Sequence, residues 1–431
     1  MAFLVDDKVG IIRTLKEDRK EAGAPDFVYH IAQTCDIDAI SPGQNAKAFL
    51  AAGVAIDRET SLLKAAGEAV ERYCAAQYVS EHLPLASSRS AAFPCMHPRE
   101  FALYTPEQYK HRRFPYKPFT ETTPLRWSQT LDLLTGETIY VPAAMIYQPY
   151  LYNRKSGEDP IFPQMSTGLA CHTNPTLAAL TALNEVVERD AVAITWQAQN
   201  EPPHIRVETL SQENRDIVKR LERPGAEITI LYLAMDHGIP VILSSMQSHV
   251  SDAPALAVAA AAHLDTDRAI RKSLEELGQT WSFAQWLKTT NPKFSPGKRW
   301  LHVVDPETHA LMYCNHTYAG YAQFLFNSPK RMACDEIPNC FKDEPTADLR
   351  LSVEKINRVN HRVLLADITT DDVRHLGLFV MRAVIPGFHP LFMGHLLRAL
   401  GGTRLWEVPQ RLGHRGISRG CGDNPFPHPF P

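Results

Sequence analysis

The sequence predicts an α+β fold in which mostly antiparallel sheets pack against helices. Two strong hairpin signals and three helical stretches carry that prediction, because they are interspersed and do not alternate strictly as a parallel α/β sheet requires. The first hairpin is LDLLTGETIYVPAAMIY, turning at Thr135 and Gly136. The second is EITILYLAMDHGIPVILSSMQ, two β-branched apolar runs around Asp236, His237 and Gly238.

The elements follow in order. Residues 1 to about 25 mix charges with a short VGIIRTL run, and read as a helical or loose N-terminal extension ending at GAP. From Asp57, an N-cap type, to about Tyr78 the stretch RETSLLKAAGEAVERYCAAQY is rich in helix formers and predicts the first helix. Residues 84 to 125 are crowded with Pro, Ser and aromatics, which predicts loop with short strands. After the first hairpin, STGLACHTNPTLAALTALNEVVERDAVAITWQ passes from loop into a long helix, capped by Asn174 with Pro175 in its first turn. A third helix is expected from about Thr266, further strands in RVLLADIT and LGLFVMRAVIPG, and the final residues dissolve into Gly and Pro.

Composition bounds the function. With 44% hydrophobic and 22% charged residues in 431, the chain has the make-up of an ordinary globular protein, and no polar linker divides it. A formal net charge of −3 without a basic run of the kind that tracks a phosphate backbone or an anionic bilayer argues against nucleic-acid and membrane partners. The acidic start and the absence of long apolar windows make a cytoplasmic protein the expectation. Eight cysteines lie scattered without a Cys-x-x-Cys pair and read as reduced thiols. Cys314 with His316, or Cys334 with Cys340, is a weak alternative as metal ligands, since structural zinc sites come in clustered pairs.

The chemistry concentrates in two Glu-x-x-Glu-Arg units of identical spacing, Glu68, Glu71, Arg72 and Glu185, Glu188, Arg189. Positions i, i+3 and i+4 share a helix face, so each helix presents two acids and one base together. A surface ion pair from Glu68 to Arg72 is the plainer reading. Yet the flanking residues are apolar on nearly all sides, and neighbouring glutamates inside a protein call for cations. Convergence of these acids on Mg²⁺ with a polyphosphate satisfies that need, because magnesium takes one or two carboxylates per ion beside water and phosphate oxygens. Arginine adds a fork for phosphate. No Walker-type loop is present, so a nucleotide here is held through carboxylate-bridged magnesium. The third helix adds Glu276 and Gln279, again three apart, one turn after Lys272.

KAAGEAVERY, the Asn174 helix, EELGQ, VIPGFHPLFMG and GGTRLWEVPQRLG together resemble the YcaO superfamily, and in particular the cyclodehydratases of thiazole/oxazole-modified microcin pathways. The resemblance runs from about residue 30 to the C-terminus. It implies a YcaO-type α+β fold with a nucleotide site between helices, and an ATP- and Mg²⁺-dependent enzyme acting on a ribosomal precursor peptide. In such enzymes a Cys, Ser or Thr side chain attacks the preceding amide carbon, ATP phosphorylates the oxygen, and loss of phosphate leaves an azoline. Carried over, Glu68, Glu71, Arg72, Glu185, Glu188 and Arg189 hold nucleotide and magnesium, the four glutamates as metal ligands, with Glu276 and Gln279 as nearby support. The chain departs from the family at Lys64, where Ser is common, at Leu177, where an acid is common, and at His172 and Thr173, which replace a Gly-Asn pair. Lys64 then supplies charge to phosphate. The resemblance also implies a ubiquitin-activating-enzyme-like partner that binds the leader, a flavin dehydrogenase acting afterwards, and a homodimer within a larger complex. Thioamide or amidine formation and a non-catalytic assembly subunit are the alternatives.

The expected organisation is an extension over residues 1–30, a YcaO domain over 31–420 and a tail over 421–431. The tail ends NPFPHPFP, whose X-Pro steps favour an extended, semi-rigid arm. By itself such an end reads as a mobile terminus or a ligand for an aromatic groove. Peptide-cyclising relatives end similarly, which implies that the arm reaches the active site and sets the carboxylate of Pro431, the catalytic assignment, or Phe430 beside the reacting amide.

Overall fold

The computed structural model describes residues 4–18, 24–40, 47–418 and 422–431; Cys421 lies outside them. Three sheets organise the chain. The first joins β1 (Ile12–Glu17), β2 (Val28–Thr34) and β3 (Leu50–Ala55), all antiparallel. The helical or loose reading of the N-terminal residues is therefore corrected: Ile12–Glu17 is an edge strand, and Ile12 is fully buried. Its few apolar residues pack under α1 (Arg58–Ala75), a long-range contact that local composition does not report.

The second sheet runs β4 (Leu85–Ala86), β5 (Leu125–Asp132), β13 (Leu364–Asp367), β14 (Phe379–Val384) and β7 (Leu169–His172), with β6 (Thr138–Pro142) on the side of β5. The turn at Thr135 and Gly136 closes as expected, with Gly136 at φ 75°. The third sheet is ordered β11 (Leu256–Ala262), β10 (Val241–Ser248), β9 (Ala226–Tyr232), β8 (His204–Ile205) and β12 (Arg331–Met332); only the last pair among the described strands is parallel. Its two faces bury different cores. Val241 and Leu243 face α2 (Pro175–Gln197), while Ile242 and Met246 face α3 (Gln212–Leu221) and α4 (Thr266–Thr290). Burial on both faces explains why β11, LAVAAAA, is apolar at every position.

α5 (Pro306–Cys314), α6 (Pro345–Asn357) and α7 (Thr403–Arg411) close the α2 side. α7 is tied down by Arg404, whose guanidinium is bonded at 2.7 Å to Asp190 of α2 and at 2.9 Å to Asp236 of the β9–β10 turn. Asp190 also accepts from the backbone of His389 at 2.7 Å. The expected α+β architecture with mostly antiparallel sheets is thus what the chain adopts. No described helix is long and apolar enough to cross a membrane.

Candidate functional site

The caps expected from sequence set the two acidic helices. Asp57 accepts from the Thr60 amide at the start of α1, and Asn174 from the Thr176 and Leu177 amides at the start of α2. Both helices then lean on one short segment. Glu71 of α1 accepts from the Cys171 amide at 2.8 Å, and Glu185 of α2 accepts from the Gly168 amide at 2.9 Å. Residues 168–171 are therefore held between the two glutamate units. Gly168 is required there: it sits at φ 85°, and a Cβ would lie 2.4 Å from the Ala383 carbonyl.

The remaining acids are oriented by neighbours. Glu68 meets Arg72 at 3.1 Å and accepts from the Ala52 amide of β3 at 3.1 Å. Arg189 spans its own unit, 2.8 Å from Glu188 and 3.4 Å from Glu185. α4 supplies the third wall. Lys64 binds Glu275 at 2.5 Å and the Val54 carbonyl at 3.0 Å, so its ammonium ties α1 to α4. Glu276 pairs with Lys272 at 3.6 Å and bears electrostatically on Glu188; Gln279 lies one turn further along, partly buried. At the substituted positions, His172 accepts from the Asn174 amide at 3.0 Å, and Leu177 lies partly buried in the first turn of α2.

The electrostatics show what this gathering costs without cations. Burial, then the carboxylates of Glu68 and Glu185, push Glu71 up to about 8. Burial also pushes Glu188, 2% exposed, up to about 8; Arg189 opposes this, and Glu276 and Glu185 reinforce it. Burial works against the charge of Lys272, but Glu276, Glu188 and Glu185 outweigh it and hold the ammonium above its usual value. Among the described residues no three acid, imidazole or thiol side chains already form a cage for an ion. Such an open set of converging carboxylates fits Mg²⁺, which keeps water and phosphate oxygens in its shell and relieves the repulsion.

A pH dependence follows. An unfolded glutamate ionises near ~4.3, whereas these two hold their protons to about 8 in the fold. Folding stability from them therefore falls as pH rises towards 8. The buried imidazoles of His237, His309 and His389, pushed down to about 4 by burial, act in the opposite sense, but only below the ordinary histidine range. The melting temperature of the metal-free chain is expected to drop between about pH 7 and 8, with Mg²⁺ restoring more at the upper end. A melting temperature that climbs across that interval, with no response to Mg²⁺, contradicts the placement of these acids.

The tail ends at the same place. Phe430 is 4% exposed, and its ring lies 4.6 Å from the Arg189 guanidinium carbon. Four consecutive tail carbonyls accept from side chains of the body: Pro425 from the Trp300 indole at 2.9 Å, Phe426 from that of Trp196 at 2.9 Å, Pro427 from the Tyr313 hydroxyl at 2.6 Å, and His428 from His309 at 2.7 Å. His309 accepts from the Gly394 amide on its other nitrogen, so it donates to the tail through a protonated Nδ1. Alternating prolines suit this groove because each removes an N–H that burial would otherwise leave to be satisfied. Arg299 and Trp300 stand at φ 54° and 61°, a strained pair that turns the indole toward the tail.

Trp196, Trp300, Tyr313 and His309 escaped the sequence reading. Nothing in their local pattern marks them, and only the demand of a buried tail for donors points to them. The metal alternatives among the cysteines are corrected: Cys314 donates to the Ala284 carbonyl, His316 is bonded to the Val250 carbonyl, and all seven described cysteines are free thiols.

Solved structures share this architecture. A heterocyclase in complex with substrate and cofactor is similar over 99% of this chain and 56% of its own, at TM-score 0.76 and 19% identity. YcaO from Methanopyrus kandleri bound with AMPPCP and Mg²⁺ is similar over 88% of this chain and 86% of its own, at TM-score 0.62 and 19% identity. The E. coli microcin synthetase McbBCD complex with pro-MccB17 bound is similar over 96% of each chain, at TM-score 0.60 and 15% identity. The matches to curated relatives span 65% of one and 46% of another. The family model described as YcaO cyclodehydratase, ATP- and Mg²⁺-binding, matches residues 52–389, and that span contains both glutamate units, the segment they clamp and Arg189 above Phe430: the chain belongs to the YcaO family.

Proposed function

We propose that this chain is an ATP-dependent cyclodehydratase that converts Cys, Ser or Thr residues of a ribosomal precursor peptide to azolines. The observation that carries the reading is the meeting of three things at Arg189: the Glu185 and Glu188 carboxylates, the Glu71–168–171–Glu185 clamp, and the ring of Phe430.

We assign nucleotide and magnesium to Glu68, Glu71, Arg72, Glu185, Glu188 and Arg189, with Lys64, Glu276 and Gln279 as surrounding support. When bound, Mg²⁺ neutralises phosphate charge and so eases phosphoryl transfer. The chain's own work is positioning. Glu71 and Glu185 fix residues 168–171, and Arg189, held by two carboxylates, faces developing phosphate charge. The side-chain nucleophile adds to the amide carbon, the resulting oxygen takes the γ-phosphoryl group, and departure of phosphate with loss of the amide proton leaves the C=N bond of the ring. ATP becomes ADP and phosphate, and the peptide loses one water. The tail sets Pro431, one residue beyond Phe430, beside that chemistry. A separate leader-binding protein and a later flavin dehydrogenase complete the route.

The test is peptide-dependent phosphate release by the full chain with the neighbouring pathway proteins, the product read by mass. Loss of one water per phosphate is expected. Sulfur or nitrogen incorporation instead supports thioamide or amidine formation, and phosphate release that never depends on peptide overturns the reading.

A further inference from the structure

A cavity of about 130 Å³ opens beside Arg189, walled by Tyr104, Phe162, Met165, Val384 and Phe388 together with Arg189 and Arg382. Its size is close to the ~150 Å³ apolar cavity that accepts benzene. Arg382 is 6% exposed; it donates to the Met145 and Met165 carbonyls at 3.0 and 2.7 Å, and its Nη1 has no partner. Those two bonds fix the guanidinium in the cavity wall.

The outer wall has the opposite character. Tyr104 stacks on Tyr116 at 5.7 Å and meets Phe114 edge-on at 4.6 Å, so the segment KHRRFPYK packs against the Tyr104 side of the cavity wall. Lys110, Arg112, Arg113 and Lys117 on that segment are exposed, and none meets a carboxylate among the described residues. On a chain of net charge −3, these four cations within eight positions form a local positive patch on the surface next to that wall.

We propose that this cavity and the neighbouring positive patch receive the substrate peptide through one large apolar residue next to the residue being processed, flanked by acidic residues that lie on Lys110, Arg112, Arg113 and Lys117. The apolar side chain fills the cavity beside Arg189. The inference rests on the proposed reading in taking the reacting amide to lie at Arg189, and it goes further by naming the sequence class that the site selects.

Rhodamine-labelled Asp-Asp-Phe-Cys-Gly, with Asp-Asp-Ala-Cys-Gly and Lys-Lys-Phe-Cys-Gly counterparts, tests it by anisotropy on the full chain without nucleotide. The Asp-Asp-Phe peptide is expected to bind about tenfold or more tightly than the Asp-Asp-Ala peptide, through burial of the Phe side chain, and several-fold more tightly than the Lys-Lys-Phe peptide at low salt, through charge. Combined Arg112→Glu and Arg113→Glu removes the preference for acid, high salt weakens binding, and Val384→Phe removes the preference for Phe over Ala. Equal affinity for the three peptides, or an acid preference untouched by charge reversal, overturns the proposal. Mg·ATP affinity of the wild-type chain, measured by calorimetry, is the separate arm: its absence strikes the cyclodehydratase reading while the peptide preferences stand or fall independently. The Arg112 and Arg113 variant should bind Mg·ATP as the wild type does.

Discussion

Removal of residues 427–431 abolishes peptide processing and leaves Mg·ATP affinity within a few-fold of the full chain. This is the largest effect we expect, and the geometry separates its two halves. The deleted residues carry two of the four carbonyls in the ladder, those of Pro427 and His428, and the ring over Arg189. They carry none of the six residues assigned to nucleotide and metal. Arg189 keeps its 2.8 Å contact with Glu188 after truncation, so the charged half of the site stays assembled. What disappears is a preformed end whose ordering cost is already met in the fold, because proline removes backbone freedom before docking. Turnover is read as peptide-dependent phosphate release and nucleotide affinity by calorimetry, with a melting curve to confirm that the truncated chain is folded. Undiminished turnover removes the tail from the mechanism and, with it, the assignment of Pro431.

Glu188→Gln and Glu71→Ala should each lower Mg·ATP affinity by about 100-fold or more, since even residues one shell outside a metal commonly cost 10–100-fold. The direction of the stability change distinguishes this from simple damage. Glu188 is buried among Glu185 and Glu276, and the fold holds its proton to about 8 because its charge is unwelcome there. Replacing it with a neutral isostere removes that penalty, so the metal-free variant should melt no lower than wild type at pH 8 and should show a shallower decline between about pH 7 and 8, the part that Glu71 leaves. Wild-type affinity in the variant places the nucleotide elsewhere. Lower affinity together with a lower melting temperature at pH 8 marks Glu188 as structural.

Much of the site was legible along the chain because its ingredients are local. The i, i+3, i+4 spacing that puts Glu68, Glu71 and Arg72 on one face needs only helix geometry, and the caps at Asp57 and Asn174 need only their own side chains. The β-strand at residues 256–262 was passed over. Its alanines favour helix locally, but pairing with β10 and burial on both faces override that preference. The N-terminal strand is decided by its pairing with β2 and its packing under α1, both long-range contacts.

By itself the sequence determined the α+β class, the two hairpins, the three long helices and the identity of the acids, since each depends on residues within a few positions of one another. Only the tertiary structure decided that Glu71 and Glu185 grip opposite ends of residues 168–171, that Lys64 reaches across to Glu275, and that the tail is received by four donors from distant elements. Those contacts join residues far apart in the chain, and their energy appears only when packing excludes water and leaves buried polar groups to find their partners within the protein.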